Sequence, residues 1–65
     1  MTSLDYAEDL HVLWEQYKRQ EGDRPAAANE TLRNIVAHCE MAIKNGADRE
    51  YFEFHATRAR TILNF

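Results

Sequence analysis

The chain is short of nearly everything that staples a small protein. It has one cysteine, Cys39, among 65 residues, so no internal disulfide can form. The common structural zinc sites need at least two thiolates and are excluded with it. A lone cysteine also fits a reducing compartment. There is one proline and there are two glycines, too few for a phosphate-cradling loop or a flexible linker. No apolar run approaches the roughly 20 residues that span a bilayer. The first segment carries Asp5, Glu8 and Asp9 where a secretory signal is basic and then apolar, so the cytoplasm is the expected location. A basic excess is missing too: net charge is −3. Residues 1–23 hold six acids and two bases, whereas residues 24–65 hold five acids and six bases. That balance disfavours non-specific nucleic-acid binding, and the acidic first segment suits a basic partner surface.

What is present is helical periodicity. The two glycines, in Glu21-Gly22-Asp23-Arg24-Pro25 and Lys44-Asn45-Gly46-Ala47-Asp48, read as helix stops, each with Gly at the left-handed position after a helix. They divide the chain into three segments of helical length. The first helix is expected over about 3–21, with Thr2 or Ser3 as cap. Tyr6, Ala7, Leu10, Leu13, Trp14 and Tyr17 lie on one stripe about 120° wide, with Leu4 just beyond it. A second helix is expected over about 26–45, because Pro is favoured in a first turn; a later start capped by Asn29 is the alternative. Its apolar face is Ala28, Leu32, Ile35, Val36, Cys39, Ala42 and Ile43. The third is expected over about 49–64 with Asp48 as cap, presenting Tyr51, Phe52, His55, Ala56, Ala59, Ile62 and Leu63. Alternation at period two never persists, so strands are not expected. The fold class is therefore all-α, one domain, as a three-helix bundle or a helical hairpin plus one helix. A domain this small buries only roughly 60% of its unfolded surface, which leaves oligomerisation as the staple still open to it.

The chemistry-bearing residues do not assemble into a reactive set. His11, His38 and His55 fall one per helix, but only His55 lies within an apolar stripe. A single histidine there reads as a core residue hydrogen-bonded to a neighbour, since a metal needs converging ligands. Cys39, between Ile35 and Ile43, reads as a small hydrophobe, because a nucleophilic thiol wants exposure and a base. His38-Cys39-Glu40 matches the H-x-E fragment of zinc deaminases, with no P-C-x-x-C to follow. The carboxylate pairs Asp5–Asp9 and Glu8–Glu15 lie on a solvated helix face without a pocket. No enzymatic activity, cofactor, metal or small-molecule substrate is expected.

Two binding readings remain. The segment Ala42–Asp48 places a small residue four positions before Gly46 and a capping residue before the next helix, as in helix-turn-helix DNA binders. The third helix would then read DNA through Arg49, Arg58 and Arg60, although Glu50 and Glu53 would face phosphates unfavourably. The other reading starts from surplus apolar residues. Val12 and Met41 fall on polar faces, and Phe54 and Phe65 fall off the main stripe of the third helix, beside Arg58. Tyr51, Phe54, Arg58 and Phe65 form the expected contact set for a protein partner or for a second copy of the chain, unless the bundle wraps Phe54 and Phe65 over its own end. Trp14, Tyr6 and Tyr17 form an aromatic stripe expected to pack in the core.

The compact length, the opening Met1-Thr2-Ser3-Leu4-Asp5, the absence of a motif and the solitary cysteine together resemble the small helical accessory proteins of temperate lambda-like phages. That resemblance implies a bacterial cytoplasm and a regulatory role, adjusting a host process by protein contact. Absence of a basic face separates the chain from the excisionase and repressor members of such regions.

Overall fold

In the computed structural model, which describes residues 3–64, the chain forms three helices: α1 (Ser3–Gln20), α2 (Pro25–Lys44) and α3 (Arg49–Asn64). The all-α bundle inferred from periodicity is the fold. α2 is the middle helix and packs against both others, while no Cα atoms of α1 and α3 come within 8 Å of each other among the described residues. The bundle is therefore flat, with principal extents of 35 × 21 × 13 Å. α1 and α3 run alongside each other and are joined across their seam by long side chains.

The core explains this arrangement. Leu32, Ile35, Cys39 and Ala42 on α2 are wholly buried, as are Phe52 and Ala59 on α3, and Leu10 on α1 is nearly so. Ala42, Ala56 and Ala59 have no side chain beyond Cβ, which lets α2 and α3 approach closely. On the other flank, Tyr6 and Trp14 reach across from α1. The Tyr6 ring meets Phe52 edge-on at 6.3 Å and lies 5.6 Å from His38. Its hydroxyl accepts a hydrogen bond from Asn45 Nδ2 at 2.9 Å.

Two polar contacts fell outside the apolar stripes. Thr31 is buried, accepting from Gln16 Nε2 at 3.4 Å, with its hydroxyl 2.6 Å from Gln20 Oε1 and 3.1 Å from the Ala27 carbonyl. It ties the end of α1 to the start of α2. His38, expected on the polar side of its helix, lies half-buried with Nε2 2.8 Å from the Tyr6 carbonyl. Both sit at the edge of the α2 stripe, where a short polar side chain reaches a neighbouring helix.

The two glycine turns differ. Gly46 adopts φ 89° and completes a Schellman motif: its N–H donates to the Ile43 carbonyl at 3.0 Å and that of Ala47 to Ala42 at 2.9 Å. Asp48 then opens α3, its carboxylate accepting the Tyr51 N–H at 3.4 Å. The expectation of a left-handed Gly22 is corrected. Gly46 is the only glycine with positive φ. The first turn closes because the Gln20 carbonyl accepts from both Asp23 and Arg24, which carries the chain into Pro25 without a left-handed glycine. α1 ends at Gln20, one residue before the position expected, and α2 begins at Pro25. No atom lies within 4 Å of a Cβ built on either glycine, so backbone conformation alone distinguishes them. Gly46→Ala is expected to cost about 1–2 kcal/mol, the penalty of a left-handed L-residue, and Gly22→Ala to be neutral or slightly stabilising. Urea midpoints of the two variants measure this, and equal midpoints would contradict it.

Candidate protein-interaction site

The residues singled out for chemistry are engaged separately. Cys39 has no exposed surface, and burial pushes its thiol up to about 11, far from the range of a nucleophile. His11 lies 3.8 Å from Glu15 on the outer side of α1. His38 is committed to the Tyr6 carbonyl. Trp14 Nε1 donates to His55 Nδ1 at 3.2 Å, so this ring nitrogen is unprotonated. Burial, with a smaller contribution from the Arg58 charge, holds His55 below its ordinary pKa. His55 is thus the neighbour-bonded histidine that its place in the stripe implied. Among the described residues, no three His, Cys, Asp or Glu side chains lie close enough to hold a metal ion. Among the described residues, no helix is long and apolar enough to cross a membrane.

The arginines named for DNA reading are each occupied. Arg49 pairs with Glu53 at 2.9 Å and Arg60 reaches back to Glu40 on α2 at 2.9 Å. Both pairs border the open groove between α2 and α3. Arg58 lies on the other side, its guanidinium carbon 4.7 Å from the centroid of the Trp14 ring.

The proposed contact residues lie mainly on the α1–α3 seam. His55 is its centre. Tyr51 packs on its ring at 4.7 Å, Phe54 meets it edge-on at 5.2 Å, and Trp14 lies 6.2 Å away. Tyr51 in turn meets buried Phe52 edge-on at 5.0 Å. The aromatic core therefore continues outward into solvent: Phe54 remains 64% exposed and Tyr51 42%. Phe54 is not folded over the bundle. Phe65 lies outside the described residues. Leu4, 66% exposed, extends the face across to α1, and it shares an open hollow with Ala7, Tyr51 and Phe52. A second hollow lies between Tyr51, Phe54 and the acids Asp48 and Glu50.

Sequence periodicity placed Tyr51 inside the apolar stripe of α3 and Leu4 just outside that of α1. It did not show that both come out on one surface. The joining contact is Ser3 Oγ accepting the Asp48 N–H at 3.2 Å, which holds the first turns of α1 and α3 side by side. No signal in the sequence pairs residues 45 positions apart. Val12 and Met41 are also exposed, but neither lines these hollows. No protein-family model matches the chain, and no curated protein or solved structure matches it either.

Proposed function

We propose that the chain is a non-enzymatic protein-interaction module, which adjusts a cellular or host process by contact through the face formed by Tyr51, Phe54 and Arg58 together with Leu4. One observation carries this reading. Phe54 stands in the second turn of an ordered helix, in ring contact with His55, yet most of it faces solvent. Isolated exposed apolar residues are ordinary. A Phe, a Tyr and a Leu meeting at two adjacent hollows are a patch, and such patches mark interaction sites. Aromatics and Arg are also the residue types that dominate interface energetics, and Arg58 stands one turn beyond Phe54.

The helix-turn-helix alternative has less in its favour. Two of its three reading arginines are closed into ion pairs, and α3 begins among Asp48, Glu50 and Glu53, which oppose phosphate. A photo-crosslinking residue placed at Phe54 in native cells tests the interaction reading, with the same residue at exposed Asn34 on α2 as control. Discrete adducts to another polypeptide are expected at position 54 and not at 34. Adducts at neither position, together with a gel shift on DNA, would transfer the assignment to the alternative.

A further inference from the structure

Folding brings the acids near the start of the chain beside those at the start of α3. The start of α1, the end of α2 and the start of α3 share one end of the bundle, held by the Ser3–Asp48 and Tyr6–Asn45 hydrogen bonds. Residues 3–10 and 44–53 therefore meet there. They contain Asp5, Glu8, Asp9, Asp48, Glu50 and Glu53 against Lys44 and Arg49: six acids, two bases, a net −4. The rest of the chain carries five acids and six bases, a net +1. Acids in a first helical turn serve their own helix dipole. Glu8 and Asp9 lie beyond the first turn of α1 and are exposed, so the dipole does not account for them, whereas Glu53 is paired with Arg49. The exposed Leu4, Tyr51 and Phe54 are at this same acidic end.

We infer that the face around Leu4, Tyr51 and Phe54 takes a basic amphipathic helix of another protein, its apolar side chains seated on the three residues and its lysines or arginines against Asp48 and Glu50, which line the hollows, and Glu8, one turn along from Leu4. This rests on the interaction reading above and adds the partner's chemistry to it. The groove geometry fits, because the α1 and α3 backbones stay apart and leave a shallow channel lined by side chains. Charge then selects the occupant. Nucleic acid and anionic surfaces are repelled by the −4 end. A second copy of this chain would bring two such ends together. A cationic helix gains from both the apolar centre and the acidic rim.

The probe is a 14-residue leucine–lysine amphipathic peptide, compared with its leucine–glutamate counterpart of the same pattern, titrated into the full chain by NMR. The lysine peptide is expected to shift the amides of Leu4, Tyr51 and Phe54. Its affinity is expected to fall about tenfold in a Glu8→Lys/Glu50→Lys variant, as two exposed charge reversals imply. Phe54→Ala should weaken it as well, and Glu30→Lys, a single reversal of the same kind at the other end, should leave it within about twofold. Circular dichroism confirms that each variant is folded. Shifts centred elsewhere, no binding, or equal losses for Glu30→Lys and Glu50→Lys would overturn the inference. Equal binding of both peptides on the Leu4–Phe54 face would overturn the basic partner and leave the interaction face standing. Absence of adducts at position 54 in cells would remove the face itself. Sedimentation showing a dimer that Phe54→Ala abolishes would also overturn the inference, since a second copy then fills the site.

Discussion

Phe52→Ala is expected to leave most of the chain unfolded at 25 °C, whereas Phe54→Ala, two residues along the same helix, is expected to leave it folded. Phe52 is wholly buried between Tyr6 and the small residues of α2 and α3, and truncating a buried Phe costs about 3–5 kcal/mol. A domain of this length has about 3–10 kcal/mol of stability in total, so the loss consumes much or all of it. Phe54 has mostly solvent to lose and one edge-on contact with His55, worth about 1 kcal/mol. Urea titrations followed by circular dichroism at 222 nm separate the two. The wild-type curve is expected to show a folded baseline that Phe52→Ala lacks and Phe54→Ala keeps. Similar losses for both variants would mean that Phe54 is packed in solution, and the proposed interaction face would go with it.

Trp14→Ala is expected to cost about 3–5 kcal/mol and to loosen α1 from α3 in particular. Since these helices do not touch through their backbones, Trp14 is one of the few side chains joining them. It donates to His55, lies under Arg58 and meets Tyr17 edge-on at 5.8 Å. Hydrogen exchange should show amides of α1 losing protection before those of α2, and uniform loss would argue against a seam held by this residue. Trp14→Phe keeps most of the bulk and removes the N–H, leaving His55 Nδ1 without its donor at a cost of about 1 kcal/mol.

The same hydrogen bond sets a pH dependence. His55 in the fold titrates below the 6.5 of a free imidazole, through burial first and the Arg58 charge second. The unfolded chain therefore takes up the proton at a higher pH than the folded one. The stability contributed by neutral His55 is complete above pH 6.5 and is lost as pH falls from there through the lower folded-state value. Other charged groups bordering His55 are His11, Glu15 and Lys18 across the seam, with Asp48 and Glu50 at the start of its own helix. A His55→Asn variant, whose side-chain oxygen takes the place of Nδ1, should show a flatter urea midpoint against pH in this window. An unchanged slope would place the titration elsewhere.

Much of the fold was legible because the apolar residues repeat at helical spacing and the chain is punctuated twice. Leu32, Ile35, Cys39 and Ala42 lie on one stripe in the sequence and in the core of the structure. The Asp48 cap and the left-handed Gly46 were legible for the same reason, since both are local backbone chemistry. Gly22 was misread because Gly followed by a proline three residues later is equally compatible with a right-handed turn. Which one forms depends on the Gln20 carbonyl accepting two N–H groups, and that is set by how α2 docks. Thr31 and His38 were missed because periodicity ranks side chains by polarity, whereas their burial depends on partners on another helix.

The sequence by itself determined three amphipathic helices, their approximate ends and the helix faces that turn inward, because those properties arise from residues within a few positions of one another. Only the tertiary structure decided that Phe54 stays outside, that Leu4 joins Tyr51 on one surface and that the acids of residues 5–9 and 48–53 meet at one end. Those outcomes follow from helix orientation around α2, and with α1 and α3 held apart they depend on a few long-range side-chain contacts: Ser3 to Asp48, Tyr6 to Asn45 and Trp14 to His55.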